Sequence, residues 1–476
     1  MPIRLVVLLA FLCLVPTLPG KEPEKPFRAG AFAVDVTPNK FPISVNGGMA
    51  DRQATLANDP LHARCLVLDD GANKLAIVVV DSCMIPREVI LDAKAQANKR
   101  TGIPAGSILI SATHTHSAPT LGGVFQSDPD EDYRKYLAEK IGEGIEKANK
   151  NLVPAKIGWS SEANTAQLFN RRWKRDKAFM PADPFGRTTD TVQMNPGYQA
   201  KGLIEAAGTV DPEVSVLAVQ TKDGKPLALL ANYSLHYVGG NPQLSGDYFA
   251  AFADRIAQLL GQESGNGAFV AMMSNGTSGD VNNVNFAGPA PTEKRQPGEQ
   301  IKIVADSVAK SALAAYKKIE FRDHVKLGSI DQIIKLGVRK PDEADLKRAR
   351  QILDDNKNKK VLVGLPAVYA RETVLLAKFP DTVEATIQAL RIGDLAIAAI
   401  PCEVFTQIGL NIKKRSPFKK TFTIELANGY NGYLPTPAQH KLGGYETWRA
   451  RSSYLEVEAS EKIEEVIFEL LEKVAK

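Results

Sequence analysis

The stretch at residues 107–119, SILISATHTHSAP, contains two of the six histidines of the chain. Its apolar, β-branched first half predicts a buried strand over residues 107–113, and His114 and His116 follow where that strand ends. Because side chains alternate between the two faces of a strand, we expect both imidazoles to project to the same side. Two such imidazoles can share a metal, divide the roles of metal ligand and proton carrier, or simply be hydrogen-bonded at a strand end.

Apolar runs bounded by turn residues predict further strands on both sides of this stretch. They lie at residues 27–37, 62–70, 74–81, 214–221, 226–236, 267–273, 325–336, 383–391, 395–400 and 421–427. Helices are predicted at residues 86–98, 130–150, 248–262, 295–317 and 459–475, with a solvated helix in an insertion at 340–380, and residues 161–210 are predicted to be irregular. This mixture of alternating elements and antiparallel pairs predicts one large α/β domain with a mixed sheet, over residues 28–476.

The composition of the chain narrows its class. Its 476 residues are 44% hydrophobic and 24% charged, as in an ordinary globular protein. The formal net charge of +5 is small for this length and no basic block stands out, so nucleic acid is not an implied partner. Residues 1–20 place Arg4 before a short apolar run, which predicts a signal peptide and an exported protein, periplasmic or extracellular; residues 21–27 form a polar lead-in. We expect Cys65, Cys83 and Cys402 to be small buried hydrophobes.

Five sequence blocks occur in a fixed order over roughly residues 28–450. They are IVVVDSCMIPREV with GSILISATHTHSAPT, NYSLHYVGG with SGDY, FVAMMSNGTSGDVNN, IPCEVF, and NGYNGYLPT with GGYE. Each block alone is a weak signal, but together they resemble the neutral/alkaline (non-lysosomal) ceramidase family. The resemblance implies the α/β fold of that family's catalytic domain. Because the chain stops one helix after Tyr445, it also implies that the C-terminal β-sandwich domain of these enzymes is missing.

The resemblance implies a zinc ion held by His114, His236, Glu403 and Tyr433. The chemistry of zinc agrees with this set, because two imidazoles and a carboxylate leave room for an activated water and a phenol oxygen can add a weaker bond. Glu403 is the most informative of the four. It lies between Pro401-Cys402 and Val404-Phe405, apolar surroundings that a carboxylate avoids unless it is paired or bound to a cation.

The resemblance further implies three catalytic residues beside the metal. His116 is suited to moving a proton near neutral pH. Arg171 is expected to hold the substrate, with the adjacent Arg172 as the alternative, and Tyr445 is expected to donate a hydrogen bond to a developing oxyanion.

Two aspartates at the ends of apolar runs have two readings. Asp81 and Asp247 could orient the ligating histidines as outer carboxylates. Both residue positions equally suit an aspartate that caps a helix or closes a turn.

The chain departs from the family pattern at three positions. Asn282 replaces the serine of the family's GDVSPN motif, with Thr277 and Ser278 nearby but offset, so Asn282 is expected to help orient the substrate while a zinc-activated water attacks. Cys402 and Ala118 replace glycines, which we expect to narrow the space near the metal. The departures therefore predict a smaller or more polar substrate than long-chain ceramide.

These inferences predict an exported zinc hydrolase that cleaves the amide (N-acyl) bond of a small-molecule or lipid substrate, with peripheral contact to a membrane. An ester or lactone hydrolase of the same fold is one alternative. A binding protein that has lost turnover together with the family serine is the other. The sequence does not indicate an oligomeric state.

Overall fold

The computed structural model describes residues 26–263 and 269–476, and the predicted signal peptide lies outside them. Among these residues, no helix has both the length and the apolar composition that a membrane span requires. Their strands are β1 Arg28–Asp35, β2 Ile43–Val45, β3 Arg52–Ala54, β4 His62–Asp69, β5 Lys74–Val80, β6 Ile108–Ala112, β7 Val153–Ala163, β8 Phe169–Asn170, β9 Arg172–Arg175, β10 Val192–Met194, β11 Leu203–Ala206, β12 Glu213–Thr221, β13 Pro226–Tyr233, β14 Val270–Asn275, β15 Val281–Asn282, β16 Leu327–Gly337, β17 Thr382–Ile392, β18 Leu395–Ala399, β19 Glu403–Val404, β20 Lys420–Ile424 and β21 Tyr433–Leu434.

The α-helices of the described residues lie mainly between these strands. They are α1 Arg87–Thr101, α2 Glu131–Lys150, α3 Asp247–Leu259, α4 Glu299–Tyr316, α5 Glu343–Asp355, α6 Leu365–Leu376, α7 Thr406–Arg415, α8 Pro437–Leu442 and α9 Ala459–Ala475.

The largest sheet has eight strands in the order β14-β13-β12-β7-β1-β4-β5-β6. Most neighbours are antiparallel, but β13 with β14 and β5 with β6 are parallel. A second sheet has the order β16-β17-β18-β20, and its last pair is also parallel. The predicted α/β fold with a mixed sheet is therefore confirmed.

The side-chain alternation of the strands divides the core into layers. In β5, Ala76, Val78 and Val80 pack on one face with α1 and α2, whereas Leu75, Ile77 and Val79 pack on the other face with the second sheet. The opposite half of the large sheet is covered by α3 and α4, and the outer face of the second sheet by α9. Two sheets packed face to face and covered by helices on both sides explain why so many strands read as continuous apolar runs.

The strand β7 was not predicted from the sequence, although it lies in the middle of the large sheet. It pairs with β12 along nine residues and with the start of β1. Its sequence VPAKIGWSSEA has a proline at its second position and contains Gly158, and both residue types are rare inside strands. The glycine is required by packing, because a Cβ there would lie 2.4 Å from Cγ2 of Ile319 and 2.7 Å from the carbonyl oxygen of Glu320.

The insertion at residues 340–380 contains α5 and α6, of which only the first was predicted. The two helices pack against each other. The connection between them, residues 356–364, carries mostly exposed side chains.

The elements that hold the candidate site end at one place. His114 follows β6, His236 follows β13, and Glu403 opens β19 directly after β18. Glu403 is paired in register with Tyr433 of β21. Carboxyl ends of strands in an open α/β sheet are where such folds place their ligands.

Candidate metal and catalytic centre

The two histidines of the HTH motif lie in a loop after β6. This strand ends at Ala112, and His114 has a left-handed backbone with φ of 72°. The prediction that strand alternation points both imidazoles to one face is therefore wrong. The turn nevertheless brings them together, with Nε2 of His116 3.2 Å from Nε2 of His114. A left-handed backbone at a non-glycine residue is strained, and such strain concentrates at functional sites.

His114, His236 and Glu403 converge into one buried cluster, in which one ligand atom of each lies within 4.8 Å of the others. Nε2 of His114 is 3.2 Å from Oε2 of Glu403. The ring centroids of His114 and His236 are 4.5 Å apart. The structure thus brings together the two histidines and the glutamate of the four residues that the sequence predicts to bind zinc.

The chemistry of this cluster fits a metal ion. Oε2 of Glu403 is buried and makes no hydrogen bond of acceptable geometry among the described residues, despite its proximity to His114. A buried carboxylate oxygen without a donor is costly, and a cation would satisfy it. Two imidazoles and one carboxylate are a ligand set suited to zinc, with a position left open.

The pKa shifts of the three residues also agree with a metal site. Burial and the charge of Arg171 lower the pKa of His236 well below its usual value, which keeps its imidazole neutral, the form that binds metals. Burial raises the pKa of Glu403, but the neighbouring His114 and Arg171 outweigh burial and hold that pKa below its usual value. Burial also lowers the pKa of His114, yet Glu403 and Cys83 raise it overall. A metal between these groups would compete with a proton for Nε2 of His114.

Cys83 offers a second set of three ligand atoms with His114 and His116, also within 4.8 Å of one another. Its Sγ lies 3.8 Å from Nδ1 of His114. That nitrogen is 2.7 Å from the backbone oxygen of Cys83, which can only accept a hydrogen bond, so Nδ1 carries the hydrogen. The lone pair on Nε2 then faces Glu403, which favours the set with His236 and Glu403.

Two tyrosines of the NGYNGY segment contact Glu403. The hydroxyl of Tyr430 donates to Oε1 of Glu403 at 2.9 Å, a contact that sequence reasoning missed. The hydroxyl of Tyr433 accepts a hydrogen bond from Nη2 of Arg171 at 3.1 Å. Burial and the nearby Glu403 raise the pKa of Tyr433 well above its usual value. A neutral phenol of this kind is at most the weaker fourth ligand that the sequence predicts.

The structure distinguishes the two adjacent arginines. Arg171 is buried, donates to the backbone oxygen of Gly279 at 2.9 Å as well as to Tyr433, and lies close enough to Glu403 to lower its pKa. Arg172 donates to Glu446 and to the backbone oxygen of Gly443. Both guanidinium groups share the fully buried carboxylate of Glu446. Arg171 is therefore the arginine that lies beside the ligand cluster.

Tyr445 lies beside the same group. Its ring packs edge-on against Tyr433 at 5.8 Å between centroids and against Trp448 at 6.0 Å. Its hydroxyl makes no hydrogen bond in the part of the chain that the structure describes. Burial, with Glu403 nearby, raises its pKa, so the hydroxyl keeps its proton and can donate it in a hydrogen bond.

His116 is held between an aromatic ring and a glycine. Its imidazole stacks on Tyr237, with 3.6 Å between centroids and an angle of 15°. On another side a Cβ at Gly47, where φ is 101°, would lie 2.3 Å from the imidazole, so only glycine fits there. Burial and the charges of His114 and Arg171 lower the pKa of His116 well below its usual value. The imidazole is thus neutral and can accept a proton.

Asp81 and Asp247 make no hydrogen bond to His114 or His236, so the prediction that they orient these ligands is wrong. Asp81 accepts from Nη1 of Arg64 at 2.8 Å and from the backbone of His62. Asp247 begins α3 and accepts from the backbone amides of Val238, Gly239 and Tyr248. Asp247 has the helix-start and turn role that the sequence left open, whereas Asp81 forms a buried ion pair with Arg64 of the neighbouring strand.

We expect Asp81→Ala to lower the free energy of unfolding by about 3–5 kcal/mol, because it leaves the buried Arg64 guanidinium without its partner. Metal affinity should stay unchanged in the protein that remains folded. Denaturant unfolding and metal titration check the two parts. A loss of metal affinity at unchanged stability would restore the orienting role.

Asn282 lies in β15 at the side of the site and makes no contact with the histidine cluster. Its Nδ2 donates to Oδ1 of Asn195 at 2.9 Å, and its Oδ1 accepts from the backbone of Val284 at 2.9 Å. Both ends of the amide are therefore engaged, and the expectation that Asn282 orients substrate has no support in its contacts.

The side chains of Cys402 and Ala118 are fully buried. Cys402 packs in the core beneath the second sheet, and Ala118 packs in the core beneath α1 and α2. Both side chains lie in packed layers, and the expectation that they narrow the space near the metal stays a prediction. All three described cysteines, Cys65, Cys83 and Cys402, are buried and free, as predicted.

Behind His236 lies a buried pair that sequence reasoning missed. Oγ of Ser278 is 3.5 Å from Nδ1 of His236 and donates to Oε1 of Glu425 at 2.5 Å. The other oxygen of Glu425 accepts from the backbone amides of Ser278 and Val404. Burial raises the pKa of Glu425 to about 8. One carboxyl group thereby fixes both the residue behind His236 and the neighbour of Glu403.

We expect Ser278→Ala to lower metal affinity about 10–100-fold, as removal of groups behind metal ligands generally does. The matched control is Thr277→Val, whose hydroxyl faces Ser234 at 3.4 Å instead of His236. Competition with a chelator measures both affinities. Equal affinities for the two variants would show that Ser278 does not position His236.

Comparison with known proteins agrees with this centre. Residues 27–314, more than half of the chain, match the family model described as neutral/alkaline non-lysosomal ceramidase, N-terminal. This range includes His114, Arg171 and His236, whereas Glu403 and Tyr445 lie beyond it.

Two curated relatives and two solved structures resemble the chain. Neutral ceramidases A and B of Dictyostelium discoideum are 24% identical over 270 residues and 26% identical over 264, and each match covers 52% of this chain and only 33% of the relative. The crystal structure of neutral ceramidase from Pseudomonas aeruginosa matches with a TM-score of 0.68 at 18% identity, and a ceramidase complexed with C2 with 0.70 at 16%. Both structural matches cover 94% of this chain and 75% of the other, and show a shared fold.

Proposed function

Because the chain belongs to the neutral/alkaline non-lysosomal ceramidase family, we propose that it is a zinc-dependent hydrolase of the amide bond of a lipid. The observation that carries this proposal is the buried convergence of His114, His236 and Glu403, with one carboxylate oxygen left without a donor. Export, which the first twenty residues predict, is part of the proposal.

In the proposed reaction a zinc ion held by this cluster supplies Lewis acidity that activates water and polarises a carbonyl. Arg171 and Tyr445 then bind the carbonyl oxygen, because both lie against the ring of Tyr433 and near Glu403. His116, neutral and next to His114, takes up a proton and returns it to the leaving amine. Tyr430 holds the Glu403 carboxylate in place through its hydroxyl.

A lipid substrate is supported by the apolar side chains around the centre. We call the set with Cys83, Met84, Val124, Phe125, Val368, Tyr369 and Ala450 at its middle the apolar channel cluster. Tyr430 and Tyr445 pack against it from the side of Glu403. We place the acyl chain of the substrate against this buried apolar set.

The experiment that tests the function compares amide, ester and lactone substrates of matched acyl length. We expect amide hydrolysis that a chelator abolishes and zinc restores. Preference for the ester or lactone would assign the neighbouring reaction of the same fold. Binding of a lipid amide without turnover of any substrate would mean that the chain has become a binding protein.

A further inference from the structure

Residues 357–365, KNKKVLVGL, join α5 to α6 and form what we call the basic–apolar loop. Lys357, Lys359 and Lys360 are exposed, and the nine residues contain no acid. Lys357 is paired with Asp354 at 3.3 Å, which leaves Lys359 and Lys360 to carry the charge of the loop. Four apolar residues, Val361, Leu362, Val363 and Leu365, lie in the next five positions, so cations and hydrophobes lie side by side.

The loop presents its apolar side chains in two directions. Val361 and Val363 are 50% and 76% exposed, and Leu365 is 37% exposed. Leu362, between the two valines, is turned inward and packs against the apolar channel cluster. Gln126 holds this residue by accepting from its backbone amide at 2.8 Å and donating to its oxygen at 3.1 Å. The valines therefore project outward because Leu362 is fixed, and the loop is not simply a loose surface segment.

The same loop is connected to the catalytic centre through packed side chains. Leu362 contacts the apolar channel cluster, against which Tyr430 and Tyr445 also pack. Tyr430 donates to Glu403, and Sγ of Cys83 lies 3.8 Å from His114. Packed apolar side chains thus connect Leu362 of the loop with residues around the candidate metal.

We propose that the basic–apolar loop docks the protein on an anionic lipid bilayer. Val361, Val363 and Leu365 enter the boundary between head groups and acyl chains, and Lys359 and Lys360 contact anionic head groups. Single exposed hydrophobes are common on protein surfaces, but three in one loop next to two exposed lysines match the charge and polarity profile of such a membrane surface. The docking itself needs no catalysis; that it delivers substrate along the apolar channel cluster rests on the proposed function.

The test measures binding of the full chain to vesicles of phosphatidylcholine, with and without phosphatidylserine, by sedimentation. We expect Val361→Asp/Val363→Asp to weaken binding to both kinds of vesicle about tenfold or more, because two apolar contacts are lost and two acids added. Lys359→Gln/Lys360→Gln should cost about tenfold on the anionic vesicles only, and high salt should have the same effect. The matched control is Ile333→Asp, since Ile333 is a 52% exposed residue of β16.

Equal vesicle binding by wild type and both loop variants would overturn the proposal that the loop docks on a bilayer. Loop variants that change only the oligomeric state in solution would also overturn it, because they would assign the loop to contact with a second copy of the chain. Hydrolysis of a short, soluble amide separates this proposal from the function. Loop variants that keep the soluble activity but lose vesicle binding support the docking, and a wild type inert on the soluble amide counts against the function while leaving vesicle binding to decide the docking.

Discussion

Replacing Glu403 by glutamine is expected to lower metal affinity by more than about 100-fold and to abolish hydrolysis. Groups that only support a metal ligand already contribute about 10–100-fold to affinity, so loss of the one anionic ligand should exceed that range. Equilibrium dialysis and elemental analysis measure the metal, independently of any substrate. The thermal stabilisation that zinc gives the wild type should disappear together with the binding.

Two control variants show whether the loss of metal is specific to Glu403. Glu372→Gln alters another fully buried glutamate, which is bonded to Arg451 at 2.7 Å and is not part of the ligand cluster, so it should change stability and leave metal binding intact. Tyr430→Phe removes the hydroxyl bound to Oε1 of Glu403 and should fall between wild type and Glu403→Gln, at about 10–100-fold.

The apo proteins give an independent readout. Glutamine at residue 403 removes a buried charge that His114 and Arg171 stabilise, so metal-free Glu403→Gln should be less stable than metal-free wild type. Full zinc occupancy in Glu403→Gln would contradict the ligand assignment. It would then favour the set with Cys83, His114 and His116.

A residue type that is rare in its sequence surroundings is the clearest signal of a site in this chain. Glu403 was singled out because a carboxylate stands in an apolar segment, and the structure buries it against His114. The same reasoning failed for Asp81, since an aspartate after an apolar strand is equally suited to bind an arginine that is 17 residues earlier. Which of these partners is present depends on pairing between β4 and β5, and a single sequence does not show that register.

The residues that were missed share one property, which is that they act on the site through another residue. Ser278 and Glu425 lie 147 residues apart and meet only because β14 and β20 both end near His236. Nothing in the local pattern of either residue marks it. For the fold, β7 escaped prediction because its polar residues and Gly158 hide a strand that is defined by pairing with distant partners. Local periodicity in the sequence predicts whether a segment is a helix or a strand. The contacts between these elements are seen only in the three-dimensional structure.

The second large effect is expected at His116. We expect His116→Ala to lower the rate of amide hydrolysis by about 100–10,000-fold while zinc occupancy stays at the wild-type level. The reason is position: Nε2 of His116 is 3.2 Å from His114, but its backbone and ring are held separately by Arg52, Tyr237 and Gly47. Removing the ring should therefore delete a proton carrier without moving a ligand.

The leaving group separates this role from a merely structural one. An amine must be protonated as it leaves, whereas the phenolate of an activated ester leaves without a proton, so His116→Ala should slow the amide far more than an activated ester of the same acyl group. His324→Ala, at an exposed histidine between α4 and β16, serves as the control and should change neither rate. Equal losses on amide and ester would mean that His116 shapes the pocket and does not move the proton. Loss of zinc would instead make it a ligand, and wild-type rates on both substrates would leave His114 as the one functional histidine of the HTH motif.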